Sequence, residues 1–211
     1  AQNVLLHQLA ANNITNTQVQ NAIMAVDRQV FVPAKLKAVA YADSIIKLDN
    51  NNYLMPVSIL GNVLDALNVA FNHNLLVIGS GNGYISFVAS YLAHEVTSIE
   101  SDNELVKFQK NLLKLKPLAN IALKTSLKSN KTKFDHIILN GVHDTIDNAP
   151  KVLEKHLSSS ASIVWFKNLY KTTAKPEFSF CQLISTTYHN GNFNHVVIDE
   201  LSIYKLAHNV L

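Results

Sequence analysis

Hydrophobic and polar positions along the chain follow two alternating patterns. Between short strand-like runs, apolar residues recur three and four positions apart, which is typical of one buried helix face; Ile85, Val88 and Leu92 are an example. The strand-like runs are 75–78, 95–99, 121–123, 134–141 and 162–166. Strands that alternate with helices predict an α/β fold with a mostly parallel sheet.

Capping and stop signals predict where several helices begin and end. Pro56 suits the first position of a helix, because its missing N–H would be unpaired there. Asp102 is a predicted N-cap, and Pro117 closes the helix that Asp102 opens. The inward residues predicted for three helices are Leu60, Val63, Leu64 and Leu67; Leu105, Phe108, Leu112 and Leu115; and Ile146, Ala149, Leu153 and Leu157.

The two ends of the chain differ from its middle. Residues 4–11 predict a short helix, Thr15 to Gln18 form a capping-box pattern before a second helix that ends near Arg28, and 34–42 predict a third. At the other end, 178–187 and 195–204 are extended runs on either side of Asn190-Gly191-Asn192, a hairpin signal.

These patterns together predict a Rossmann-like doubly wound seven-stranded sheet with a C-terminal antiparallel hairpin and an N-terminal helical extension. We expect residues 1–56 to form the helical extension, packed on the core. Residues 57–211 then form the main domain, and the two parts make a single structural unit because no long linker separates them.

Gly79, Gly81 and Gly83 interrupt the pattern between the first core strand and the next helix. Glycines let a backbone turn sharply and approach a ligand closely, because no Cβ is in the way. Glu100 ends the next strand, 21 residues after Gly79, where an acid that binds ribose hydroxyls is expected. This G-x-G-x-G spacing, followed by an acid, is typical of S-adenosylmethionine-dependent methyltransferases. The segment predicts a nucleoside-type ligand.

Composition narrows the class of protein. The chain is 48% hydrophobic and 16% charged, as expected of a folded domain, and no apolar stretch approaches a membrane span. A net charge of +3 without a dense basic run does not indicate nucleic-acid binding. The single cysteine, Cys181, cannot form an internal disulfide, which suits a reducing compartment. We therefore expect the protein to be cytoplasmic. The nine histidines form no metal-binding motif.

Several longer segments carry a more specific pattern. Residues 20–33 read QNAIMAVDRQVFVP, 40–43 read AYAD, 76–84 read LVIGSGNGY, 98–100 read SIE and 134–139 read FDHIIL. In sequence and order these segments resemble the protein-L-isoaspartate (D-aspartate) O-methyltransferase family, over about residues 18–166. The resemblance implies S-adenosylmethionine as cofactor and methylation of a carboxylate in a protein or peptide. It implies cofactor contacts at Gly79, Ser80, Gly81, Gly83, Tyr84 and Glu100.

Three positions depart from the family pattern. The family has T-I-S-Q-P where this chain has Asn52-Tyr53-Leu54-Met55-Pro56, so Leu54 replaces the serine of the acceptor site. Val77 replaces an acid before the first glycine, and Thr125-Ser126-Leu127 replaces an acidic turn near the adenine. We therefore interpret the chain as a divergent member and assign no catalytic residue.

Other side chains are candidates for holding the methyl acceptor. They are Asn52 and Tyr53, Asn140 and Gly141 at the end of the fourth core strand, and His143 beyond it. Two alternatives remain open at this stage. One is a methyltransferase-fold protein that binds or regulates without catalysis, as Leu54, Val77 and Ser126 would favour. The other is a methyltransferase with a different acceptor.

Overall fold

A computed structural model of the 211-residue chain describes residues 2–48, 52–127, 132–142, 148–169 and 178–204. The N-terminal part contains helix α1 (Gln2–Ala11), helix α2 (Thr17–Ala25) and two 3-10 helices, Arg28–Phe31 and Ala34–Val39. Two short antiparallel strands follow, β1 (Ile46–Lys47) and β2 (Tyr53–Leu54), and then helix α3 (Val57–Leu67). The β1–β2 pair was not predicted from the sequence.

The remaining elements build one seven-stranded sheet. Its strands are β3 (Asn74–Ile78), β4 (Glu95–Ile99), β5 (Ile121–Lys124), β6 (Phe134–Val142), β7 (Leu157–Asn168), β8 (Phe178–His189) and β9 (Asn192–Tyr204). Between them lie helices α4 (Tyr84–Ala89), α5 (Asn103–Leu115) and α6 (Ala149–Leu153). The strand order is β5-β4-β3-β6-β7-β8-β9, parallel from β5 to β7 and antiparallel from β7 to β9.

This architecture confirms the predicted fold class, including the C-terminal hairpin. Asn190 and Gly191 form its turn, both with positive φ (45° and 93°), as a tight two-residue hairpin turn requires. The sheet buries both of its faces, because successive residues of β3 enter opposite clusters. Leu75 and Val77 pack with the N-terminal helices, α3 and α4, while Leu76 packs with the residues that surround α6.

Four predicted details are wrong at helix ends. Asn16, not Thr15, caps α2, since its side chain accepts the N–H groups of Gln18 and Val19. Helix α2 ends at Ala25 rather than near Arg28. Pro56 is the N-cap of α3 rather than its first residue. Leu157 begins β7 instead of closing a helix, because α6 ends at Leu153 and a 3-10 turn follows. Ile146 lies outside the described residues.

The inward face predicted for α5 is also displaced. Leu115 is 83% exposed, whereas Val106 and Gln109 are the buried residues of this helix. Phe108 and Leu112 are partly buried, and Asp102 caps the helix as predicted, accepting the N–H groups of Glu104 and Leu105. The buried face is therefore rotated toward Gln109, a polar residue that the periodicity of apolar positions could not identify.

Candidate functional site

The glycine turn between β3 and α4 has a backbone that side chains rarely allow. Gly79, Gly81 and Gly83 have φ values of 72°, 59° and 91°. The N–H groups of Gly79 and Ser80 both donate to the carbonyl of Ile99 (3.0 Å each), which joins the turn to the end of β4. The predicted cofactor residues Gly79, Ser80, Gly81 and Gly83 thus lie at the carboxyl edge of the sheet, where open α/β sheets bind ligands.

Glu100 lies directly beside this turn. Its Oε2 accepts the N–H of Gly81 (2.7 Å) and its Oε1 accepts the N–H of Asp102 (3.0 Å). The side chain is only 4% exposed, and this burial raises the pKa of the carboxyl, while the backbone N–H groups that it accepts oppose the shift. A carboxylate has about four acceptor positions, so two bonds leave capacity for further donors such as ribose hydroxyls.

Gln109 of α5 is a site residue that the sequence analysis missed. Its Nε2 donates to Ser80 Oγ (2.9 Å) and to the carbonyl of Gly81 (2.7 Å), and its Oε1 accepts from Ser98 Oγ (3.2 Å). The periodicity of apolar positions gave no signal for it, because Gln109 is one of several polar residues in α5.

The predicted acceptor residues lie on the other side of the turn. The β1–β2 pair holds Asn52, Tyr53 and Leu54 there, and a Cβ placed on Gly81 would lie 2.7 Å from Asn52 Oδ1. Asn140 Nδ2 donates to the carbonyl of Gly79 (2.8 Å). The structure therefore brings Asn52, Tyr53 and Asn140 close to the glycine turn. His143 lies outside the described residues.

A small cavity separates these two sets of residues. Its volume is about 10 Å³, the space of roughly one water molecule. Its lining includes Tyr53, Leu54, Met55, Ser80, Asn82 and Asn140. Leu54 is 1% exposed, so the position of the family serine holds a fully buried apolar side chain. Gly141 follows Asn140 with a φ of 115°.

Tyr84 and Arg28 support the turn from beneath. Tyr84 packs edge-on against Phe31 (5.2 Å between ring centroids), and the guanidinium of the fully buried Arg28 lies 4.9 Å from the Tyr84 ring centroid. Arg28 also donates to the carbonyls of Ala40 and Met55. Tyr84 thus contacts Phe31 and Arg28 of the N-terminal extension and also lines the small cavity beside Ser80 and Asn140, and its predicted cofactor contact stays a prediction.

Val77, which stands where the family has an acid, is part of the hydrophobic core. Val77 is fully buried on β3 and pairs with Ser98 and Ile138 on the neighbouring strands. Leu127, in the turn that replaces the family's acidic one, is also buried. Within the described residues, no group of three or more His, Cys, Asp or Glu side chains is arranged to hold a metal ion, and no helix has the length and hydropathy to span a membrane.

Comparisons with known proteins agree with this geometry. A sequence model of the protein-L-isoaspartate(D-aspartate) O-methyltransferase family matches residues 1–153. A protein-L-isoaspartate O-methyltransferase of Aliivibrio salmonicida is 31% identical over 203 residues, 94% of this chain and 92% of that protein. One of Dictyoglomus turgidum is 28% identical and covers 81% of each chain. A solved protein-L-isoaspartate O-methyltransferase structure is 15% identical and superposes with a TM-score of 0.81. The match covers 100% of this chain and 67% of the solved chain, which shows that the two share the fold.

Proposed function

Because the chain belongs to the protein-L-isoaspartate(D-aspartate) O-methyltransferase family, we propose that it methylates the carboxylate of L-isoaspartyl residues in proteins or peptides. The protein is an S-adenosylmethionine-dependent O-methyltransferase, and the non-catalytic alternative is not favoured by its relatives. The observation that carries the proposal is the 2.7 Å hydrogen bond between Gly81 and Glu100, which joins the glycine turn to the acid of the next strand.

The residues present fit S-adenosylmethionine. The turn of Gly79, Ser80, Gly81 and Gly83 offers a backbone without Cβ atoms, and Glu100 offers the acceptor capacity that ribose hydroxyls need. When bound, the cofactor supplies an electrophilic methyl group on a sulfonium. Glu100 and the glycine turn would hold the nucleoside part at the carboxyl edge of the sheet.

The acceptor side of the site needs alignment more than acid–base chemistry. A carboxylate is already anionic at neutral pH, so the protein contributes by holding its oxygen in line with the methyl group and excluding water. We propose that Asn52, Tyr53, Asn140 and Gly141 line this side, and His143 stays a further candidate. The buried Leu54 offers no hydroxyl, so neighbouring amide groups take over positioning of the acceptor.

The partner is then a protein or peptide that exposes an isoaspartyl carboxylate. The predicted cytoplasmic location, which rests on the single cysteine, stays a prediction. We also retain residues 1–56 as the extension and 57–211 as the main domain of one structural unit. The contact of the Arg28 guanidinium with the Tyr84 ring, and the hydrogen bond from Asn82 Nδ2 to the carbonyl of Phe31 (2.8 Å), join the two parts and support a single unit.

The test combines calorimetric titration with a methyl-transfer assay. We expect S-adenosylmethionine and S-adenosylhomocysteine to bind at micromolar concentration, and labelled methyl groups to appear on an isoaspartyl peptide but not on its aspartyl counterpart. Gly81→Val should abolish binding, because its φ is positive and its Cβ would meet Asn52. Gly191→Val is the matched control, since Gly191 also has positive φ but open space around it.

The outcomes of the two assays separate the isoaspartyl methyltransferase from the alternative interpretations. No binding at millimolar ligand would contradict the enzyme assignment. Binding without transfer to the isoaspartyl peptide would favour a methyltransferase with another acceptor, consistent with Leu54 at the serine position. Equal loss of binding in Gly81 and Gly191 variants that both keep the wild-type fold would contradict the assigned site.

A further inference from the structure

Gln109 is an unusual residue for its position in the fold. It lies in the middle of α5, it is 1% exposed, and its helix otherwise buries apolar side chains. A buried amide is costly unless its polar atoms are paired. Here both hydrogens of Nε2 are used, on Ser80 Oγ and on the carbonyl of Gly81, and Oε1 accepts from Ser98.

These contacts determine the orientation of the amide. The carbonyl of Gly81 can only accept, so the nitrogen of Gln109 must face the glycine turn and its oxygen must face β4. The hydroxyl of Ser98 then donates to Gln109, and the hydroxyl of Ser86 donates to Ser98 (2.9 Å). A continuous polar network therefore runs from α4 through β4 and α5 to the glycine turn.

Gly81 is held on both of its peptide groups by this arrangement. Its N–H donates to Glu100 (2.7 Å), and its carbonyl accepts from Gln109 (2.7 Å). The side chain of Gln109 also fills the space beside Gly83, where an added Cβ would lie 2.8 Å from Cγ and 2.9 Å from Cδ of Gln109. Position 83 thus requires a glycine for two reasons, because its φ is 91° and because the side chain of Gln109 leaves no space for a Cβ.

We propose that Gln109 is the positioning residue of the cofactor site, which fixes the glycine turn in its binding conformation before the cofactor arrives. This inference rests on the proposed function of the same site. A turn that is already ordered loses less conformational freedom on binding, so the protein binds its ligand more tightly. Gln109 acts through Gly81, and it influences cofactor affinity rather than the transfer step.

The variant that tests this is Gln109→Met, which preserves most of the side-chain volume but removes the amide. We expect the Kd for S-adenosylhomocysteine and the KM for S-adenosylmethionine to rise at least about tenfold, because the loss of the bond to the Gly81 carbonyl alone is worth about that factor. The kcat at saturating cofactor should stay within about twofold, because the lost interaction is the same in ground state and transition state.

Gln20→Met is the matched control. Gln20 also donates a side-chain hydrogen bond, from Nε2 to the carbonyl of Ile14 (2.9 Å), but it lies on α2 away from the turn. We expect this variant to leave the affinity for both cofactors unchanged even where it lowers Tm. Equal changes in affinity in the two variants, or no change in Gln109→Met, would overturn the proposal.

Hydrogen exchange of the free protein provides a readout that needs no cofactor. The backbone amides of residues 79–84 should exchange faster in Gln109→Met than in the wild type. Their exchange rates in Gln20→Met should equal those of the wild type. Where Gln109→Met does not fold, Ser98→Ala removes the bonds of Ser98 to Gln109 Oε1 and to Ser86 but keeps both bonds of Gln109 Nε2 to the turn, and it should give a smaller change of the same sign. A wild type that shows the exchange protection but binds no cofactor would overturn the proposed function, whereas unchanged exchange in both Gln109 and Ser98 variants would overturn the role of Gln109.

Discussion

At the scale of single residues, Glu100 connects three backbone segments of the site. Its carboxylate accepts N–H groups from the glycine turn and from Asp102, and its own N–H donates to the carbonyl of Lys124 on β5 (3.1 Å). Each hydrogen bond that a carboxylate accepts is stronger than a hydrogen bond between two neutral groups. The side chain therefore stabilises the turn in addition to its proposed contact with the cofactor.

Glu100→Gln should weaken both functions. A glutamine amide has one acceptor oxygen, so either Gly81 or Asp102 would face an NH2 group that cannot accept. We expect the free energy of unfolding to fall by about 1–3 kcal/mol and the Kd for S-adenosylhomocysteine to rise about tenfold or more. Urea denaturation and calorimetry measure the two effects. Glu104→Gln, at an exposed position of α5, is the control, and unchanged affinity in Glu100→Gln would exclude Glu100 from the cofactor site.

Cys181 has a thiol that we expect to be unreactive in the folded protein. The thiol is fully buried and donates to the carbonyl of Leu201 (3.4 Å), and burial, followed by the nearby Asp199, raises its pKa to about 12. Because the thiolate is the reactive form, the folded protein should not react with an aromatic disulfide reagent at pH 8. One thiol per chain should react after denaturation. Rapid reaction of the folded protein would contradict the buried position of Cys181 on β8.

At the scale of elements, a buried histidine joins β6 to the beginning of β3 and to β7. His136 Nε2 lies 2.7 Å from His73 Nδ1, and His136 Nδ1 lies 2.7 Å from Ser162 Oγ. His73 Nδ1 already accepts the N–H of Ala70, so His136 Nε2 donates to His73, and with that proton on Nε2 the Nδ1 atom of a neutral ring accepts from Ser162. This assignment requires the His136 ring to be neutral.

Acid should therefore destabilise the protein through His136. Burial, and then the neighbouring His73, lower the pKa of His136 from 6.5 to about 4, and Asp135 acts in the opposite direction. The unfolded chain takes up this proton near pH 6.5 and the folded one near 4, so stability is full above pH 6.5 and falls as the pH drops toward 4. The loss is at most about 3 kcal/mol. Urea midpoints from pH 7.5 to 4.5 measure it, and His136→Phe should flatten the curve; an identical curve in the variant would contradict the assignment.

Local signals predicted elements well where the chemistry is local. The Asp102 cap and the Asn190-Gly191 turn depend on bonds between residues a few positions apart. The start of β7 at Leu157 depends on Phe134, a partner distant in the sequence, so no local pattern identified it. The partners in the β1–β2 pair are close in the sequence, but each strand has only two residues, which is too short to show a periodic pattern. Glu100 was found by its spacing, whereas Gln109 is part of the site only because α5 packs behind the turn.

At the scale of the whole molecule, the N-terminal extension and the sheet share one core. Leu9 and Ile14 pack against α3, whose Leu60 and Leu64 also face β3 through the same cluster. The two parts approach closely at Gly61, where an added Cβ would lie 2.3 Å from Ile14 Cδ1 and 2.9 Å from Leu9 Cδ2. The docking of the extension therefore depends on a glycine in the middle of a helix.

Gly61→Ala should reveal this dependence. Alanine is the better helix former by about 1 kcal/mol, so the substitution would stabilise α3 if the extension did not pack on it. We expect a net loss of about 1–3 kcal/mol instead, because Ile14 and Leu9 are fully buried and have no room to move. Ile14→Val removes the methyl group nearest to the added Cβ. In the Gly61→Ala/Ile14→Val protein, urea denaturation should show a smaller total loss than the sum of the single losses. A stabilising Gly61→Ala, or simple additivity, would mean that residues 1–56 do not pack on the core as one structural unit.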